Sequence, residues 1–250
     1  CFVNKMDRVG ADFARTLDQI KTKLQANPVA VQIPLGSEAG FEGVIDLIRM
    51  KAIRYQGETL GADLVVEEIP ESFMAEATAF REQLLEKVSE ANDGLLEKYL
   101  HGDPMPDDEI LATLRRRVIE SVRSEAAPFV PVLCGSAFKN KGIQPLLDAV
   151  VDLLPSPVDV PSVTGLDPTT VEETVVEREA SDEEPFSALA FKILTDPFVG
   201  QLTFFRVYSG VVRTGASVFN PTKGRSERLG RLLKMHANKR EEISEAYAGD

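Results

Sequence analysis

Cysteine and histidine are almost missing from this sequence, with two of each in 250 residues. The two cysteines, Cys1 and Cys134, sit in separate apolar runs, which excludes a disulfide framework and reads as reduced thiols in a core. Beside His236 there is no cysteine or carboxylate cluster at ligand spacing, so a metal centre is not expected. No apolar run approaches the roughly 20 residues that cross a bilayer. The opening residues lack the basic-then-apolar layout of a signal peptide. Basic residues are also scarce. Lys and Arg number 28 against 40 Asp and Glu, and a formal charge of −12 argues against a broad basic nucleic-acid footprint. What remains is a cytoplasmic globular protein. Its 43% hydrophobic content suits a packed core in one large or two modest domains.

Against that background, Asn4-Lys5-Met6-Asp7 stands out after the apolar run Cys1-Phe2-Val3. Open α/β sheets place ligands beyond the carboxyl ends of their strands, which is where this polar group falls. Guanine offers two adjacent donors, its ring N1–H and exocyclic amine, and one carboxylate can accept both. Asp7 has the right chemistry for that fork. Lys5 can lay its stem and ammonium over a purine face. Asn4 can tie the loop or reach the base edge. A solvated strand-end turn is the plainer account of the same four residues.

A second group follows the buried-looking run Pro131-Val132-Leu133-Cys134. There Ser136 can brace a short turn, and Ala137 leaves room for a base whose carbonyl meets backbone N–H groups. About 130 residues separate the two loops, far more than one strand–helix–strand unit needs.

The intervening chain changes texture several times. Phe13, Leu17, Ile20 and Leu24 mark an amphipathic helix that Asn27-Pro28 ends. Val29–Leu35, Phe41–Leu47 and Met50–Tyr55 read as three strands of a small antiparallel sheet, with Gly36 and Gly40 in its turns. From Phe73 to Leu95 one apolar stripe predicts a single long helix with an acidic outer face. Gly102-Asp103-Pro104 stops it, and Ile110, Leu114, Val118 and Val122 begin another. The Arg115-Arg116-Arg117 run reads as a solvated helix face paired with neighbouring acids. Leu146, Leu147, Val150, Val151 and Leu154 predict a further helix, which Pro155 and Pro157 end.

Residues up to Glu184 then lack periodicity and read as a linker. Beyond Pro185, short apolar runs at Phe186–Ile193, Leu202–Tyr208, Val211–Val212, Ser217–Phe219 and Leu229–Met235 predict an antiparallel barrel. Arg225, Arg228, Arg231, Lys234, Lys239 and Arg240 make this end locally basic. Contact with RNA phosphates and an ordinary solvated face both remain open there.

Asn4-Lys5-Met6-Asp7, followed by Gly135-Ser136-Ala137-Phe138-Lys139-Asn140-Lys141-Gly142, resembles the fourth and fifth guanine-nucleotide motifs of the bacterial elongation factor G family. Leu153–Pro157, Asp196–Gly200, Leu202–Gly210 and Met235–Arg240 resemble the same family, so the likeness covers essentially the whole chain. It implies guanine-nucleotide binding by Asn4, Lys5, Asp7, Ser136, Ala137 and Phe138. The implied fold is an α/β domain of the P-loop GTPase type with an inserted α+β subdomain, followed by an all-β barrel. Residues 1–28 and 128–158 would form the C-terminal half of the nucleotide domain, 29–127 the insert, 159–185 the linker and 186–250 a truncated barrel.

The resemblance further implies a GTP hydrolase that moves tRNA and mRNA through the ribosome. Its partners would be guanine nucleotide, ribosomal RNA and stalk proteins, with no membrane, and the parent is expected to be a monomer. No G-x-x-x-x-G-K-[ST] phosphate loop occurs in the sequence. The chain is therefore expected to be an internal piece, inactive alone, with the magnesium ligands and switch regions elsewhere in the parent. Ribosome-protection, recycling and release factors share these motifs and stay open. So does a non-catalytic protein-binding module acting through the acidic insert.

Overall fold

The computed structural model describes the chain except residues 57–60, 62, 123–126, 168–169, 171–173, 197–199 and 237–238, and the side chains of 122 and 196. The chain divides into two units, Cys1–Leu154 and Pro155–Asp250.

In the first unit, β1 (Phe2–Val3) leads through the Asn4–Asp7 loop to α1 (Phe13–Leu24). Asp12 caps that helix, its carboxylate accepting from the Arg15 amide at 2.9 Å. Phe13 and Ile20 are buried, whereas Leu24, expected on the same stripe, is exposed. The helix stops earlier than Asn27-Pro28, because Gln25 turns left-handed at φ 53°. Asn27 and Pro28 instead open β2 (Asn27–Ala30).

The expected single strand over 29–35 is two. β2 pairs in parallel with β7 (Phe129–Cys134), while β3 (Gln32–Leu35) pairs antiparallel with β4 (Gly43–Asp46). Val31 makes the crossing, its amide donating to Val132 and its carbonyl accepting from Leu47. β5 (Lys51–Tyr55) and β6 (Leu64–Glu67) complete a four-stranded antiparallel sheet in the order β3-β4-β5-β6. β6 escaped the sequence reading because its apolar run, Leu64-Val65-Val66, is only three residues long. The parallel sheet has the order β1-β7-β2.

The predicted long helix is also two, α2 (Glu71–Ser89) and α3 (Asp93–His101). Asn92 divides them, its side-chain oxygen accepting from Gly94 and Leu95 amides at 3.1 and 3.4 Å. The apolar stripe runs across the break because Ala77, Leu84, Val88 and Leu95 all enter the same core. Gly102, left-handed at φ 74°, ends α3 before α4 (Asp107–Val122).

Within the arginine run, Arg117 approaches Glu90 and lies over the Phe129 ring, and Arg116 approaches Glu120. Arg115 does something else. It donates to the carbonyls of Val151, Asp152 and Leu154 at the end of α5 (Ile143–Leu153). The apolar stripe of α5 is largely uncovered: Leu147, Val150, Val151 and Leu154 are exposed and Leu153 is buried. One continuous core joins Met6, α1, both sheets and α2 to α4. Cys134 lies inside it, and burial pushes its thiol pKa up.

Apart from a 3₁₀ turn at Pro157–Asp159, the regular structure described in the second unit is β. In the stretch expected as a linker, β8 (Val163–Leu166) pairs with β9 (Val175–Arg178). β10 (Ser187–Asp196) pairs with β11 (Gly200–Ser209), and β12 (Val212–Arg213) with a much later strand, β17 (Glu245–Ala246). β13 (Ser217–Asn220) pairs with β14 (Arg225–Arg228), and β15 (Leu232–His236) with β16 (Lys239–Ile243). Val207, Val212, Leu232 and Ala246 form a small core among them. The expected β domain after the α/β part is thus present, its described strands pairing as two-stranded ribbons that form no closed barrel among the described residues. Parts of two quoted stretches, 197–199 and 237–238, lie outside the described residues.

Candidate functional site

β1 and β7 lie side by side in parallel, with Phe2 opposite Leu133 and Val3 opposite Cys134. Asn4 and Gly135 are therefore the next residues on adjacent strands, and both loops leave the same edge of the sheet. Topology closes the gap of about 130 residues seen in the sequence. Backbone amides help to tie the loops together. The Asn4 side-chain oxygen accepts from the Ala137 amide at 2.9 Å, and the Met6 amide donates to the Gly135 carbonyl at 3.1 Å.

Lys5 holds a left-handed backbone at φ 66°, uncommon for a residue with a Cβ. The same Asn4 oxygen accepts from the Lys5 amide at 2.7 Å, which supports that conformation. Lys5 itself is exposed, whereas Met6 is buried and anchors the loop. Sequence reasoning overlooked Met6. Its signal was a lone apolar side chain inside a polar tetrapeptide.

In the second loop Ser136 is 1% exposed and exchanges both backbone bonds with Lys141. A short 3₁₀ turn, Ala137–Lys139, fills the space between them. Gly135 is required where this loop doubles back, since a Cβ there would lie 2.4 Å from the Lys141 carbonyl oxygen. Phe138 is 89% exposed, so its ring takes no part in the packed loop.

The Asp7 side chain is only 10% exposed and faces Lys139 Nζ at 3.4 Å. Desolvation pushes its carboxyl upward. The Ser136 hydroxyl, the Asp7 amide and Lys139 together outweigh that, leaving it below its ordinary 3.8. Lys139 was the second residue missed, being one of several lysines in a polar run. The loops thus hold an ionised carboxylate beside the ammonium groups of Lys139 and the exposed Lys5. Such a set suits a flat ligand with adjacent donors on one edge.

A pH prediction follows. Folding lowers the Asp7 pKa, so its contribution to stability is fully present above the unfolded value of 3.8. That contribution is lost as pH falls through the lower folded value. Thermal unfolding of wild type and Asp7→Asn between about pH 6 and pH 2 is the check. The wild-type advantage should shrink on acidification, and an advantage that grew would contradict the assigned shift.

Residues 1–156 match the elongation factor Tu GTP binding domain. The chain belongs to this family of translational GTPases. Residues 185–250 match elongation factor G domain 2. A crystal structure of a protein from Thermus thermophilus is similar over 99% of this chain, at 27% identity and a TM-score of 0.70. The chain spans 32% of that protein's length. Its α/β domain followed by a β-rich domain is the architecture these matches share.

Two other features of the chain bear on function. Basic residues of the second unit are interleaved with acids: Lys223 and Arg225 both meet Glu227, and Arg213 meets Glu245. His236 pairs with Glu241 at 3.2 Å. Among the described residues no group of three or more His, Cys, Asp or Glu is placed to hold a metal. No described helix is long and apolar enough to cross a membrane.

Proposed function

We propose that the two loops read the base of a guanine nucleotide in a translation factor of the elongation factor G type. The observation that carries this reading is the Asn4–Ala137 bond, which joins two loops at one sheet edge beside the ionised Asp7. Asp7 accepts from the base N1–H and exocyclic amine. Lys5 covers the ring face. Ser136 and Ala137 present the second loop to the base carbonyl, and Phe138 borders it. The match to elongation factor G domain 2 supports translocation of tRNA and mRNA over other roles within the class.

In this reading the intact parent is a cytoplasmic, monomeric GTPase that works on the ribosome. Residues 29–127 are its inserted subdomain, whose acidic α2 face meets stalk proteins, and the domain from 186 onward contacts ribosomal RNA. Phosphoryl transfer needs a phosphate loop and magnesium. These residues contain no such loop, so hydrolysis belongs to the parent and none of the described residues is assigned to magnesium.

The full-length protein tests this directly. It should bind GDP with micromolar or better affinity, reject ADP by about 100-fold or more, and hydrolyse GTP faster when ribosomes are added. Equal affinity for ADP would overturn the base reading. GTP hydrolysis indifferent to ribosomes would overturn the assignment as a translation factor.

A further inference from the structure

The turn joining β3 to β4, residues 36–42, touches both candidate base loops. The Glu38 amide donates to the Met6 carbonyl at 3.0 Å, and its carboxylate accepts from the Gly10 amide at 2.7 Å. These two bonds bracket Asp7 in the chain. Across the turn, Lys141 Nζ donates to the Phe41 carbonyl at 3.0 Å, and Lys141 is the residue bridged to Ser136.

The turn itself is stiff. Gly36 is left-handed at φ 82°, and a Cβ there would lie 2.0 Å from the Gly40 carbonyl oxygen. Gly40 and Phe41 amides return to Ser37 and Glu38 carbonyls at 2.9 and 3.1 Å, and Phe41 is buried in the core. Glu38 holds φ 53°, a sparsely populated state for a residue with a side chain. Its amide and carboxylate are both engaged with the first loop, which is what sustains that conformation.

We propose that Glu38 is a positioning residue for the base-reading carboxylate, fixing the loop from Met6 to Gly10 so that both Asp7 oxygens meet the base edge. The inference rests on the reading of the loops given above. Besides Glu38, the segment is held by Met6 to Gly135, by two local turns, Arg8 to Lys5 and Ala11 to Arg8, by Arg15 Nη2 donating to the Gly10 carbonyl at 2.9 Å, and by the contacts of Asp7 with Ser136 and Lys139. Loss of the Glu38 carboxylate releases the Gly10 amide, leaving only the Arg15 bond on its carbonyl, and lets Asp7 tilt. Hydrogen bonds weaken steeply with angle, so a two-bond fork suffers more than a single bond. The nucleotide's phosphates are unaffected by that tilt.

Guanine and hypoxanthine nucleotides separate positioning from general damage, because hypoxanthine keeps N1–H and lacks the exocyclic amine. Full-length wild type should bind GDP more tightly than IDP. Glu38→Ala should weaken GDP about tenfold, the loss of one good charge-assisted bond, and weaken IDP by less than about threefold. The GDP/IDP ratio therefore falls. Glu38→Gln keeps an acceptor for Gly10 and should restore most of the ratio. If Glu38→Ala does not fold, Glu38→Asp, one methylene too short to reach Gly10, makes the same comparison. A ratio unchanged in the folded variants would overturn the role of Glu38 while leaving the loop reading intact. Wild type that fails to prefer GDP over IDP would overturn the loop reading itself.

Discussion

Asp7→Asn in the full-length protein is expected to reverse its nucleotide preference from guanine to xanthine. The carboxylate of Asp7 is mostly shielded and kept ionised, despite desolvation, by the Ser136 hydroxyl, its own amide and Lys139. In the asparagine variant one oxygen becomes an NH2 donor that faces the exocyclic amine of guanine. Two donors then oppose each other, at about 1–3 kcal/mol for the unpaired groups. GTP affinity should fall by about 5- to 150-fold on that scale. Xanthine carries a carbonyl where guanine carries the amine, and it keeps N1–H. The variant can donate to the first and accept from the second, so XTP should gain what GTP loses. Competition binding with both nucleotides is the measurement. A mutant that kept its GTP preference would show that Asp7 does not read the base. Asn4-Lys5-Met6-Asp7 would then be an ordinary strand-end turn.

A comparably large effect, on stability, is expected from Leu84→Ala. Leu84 on α2 is 1% exposed and belongs to the core that also contains Met6, Val132 and Leu133 beneath the loops. Truncating a fully buried leucine removes its transfer free energy and leaves a cavity, typically about 2–5 kcal/mol. Because that core is continuous, residues 1–154 should unfold in one cooperative step, and the variant should lower its midpoint without splitting it. Leu84 offers no hydrogen bond to the loops, so added GDP should raise the midpoint of the full-length variant and wild type alike. A loss below about 1 kcal/mol, or a separate early transition of α2 to α4, would mean that the helices are not part of one core.

Much of the first loop was legible because its signals are local. An apolar run ending in Asn, Lys and Asp marks a strand end with ligand chemistry, and both facts are properties of a few consecutive residues. Helix ends were less so. The stripe from Phe73 to Leu95 stays in phase through Asn92, and only the bonds from its side chain to Gly94 and Leu95 show that two helices meet there. Strand identity failed similarly at 29–35. Alternation and β-propensity are the same on both sides of Val31, while the partner changes from β7 to β4. On α5 the periodicity was real, yet Leu147, Val150 and Val151 are exposed. Period reports that a face is apolar; burial depends on what stands opposite.

The sequence by itself determined the residue types of the site, the strand and helix character of most segments, and the division into an α/β part and a β part. It could not decide that Asn4 meets Ala137, that Lys139 faces Asp7, or that Glu38 reaches Met6 and Gly10. Those contacts join residues 28 to 133 positions apart, and strand pairing at that range leaves no periodic mark in the chain. Tertiary structure decided them through the parallel register of β1 on β7 and the left-handed turns at Lys5 and Glu38. Neither lysine nor glutamate announces such a backbone, because only the surrounding hydrogen bonds make it stable.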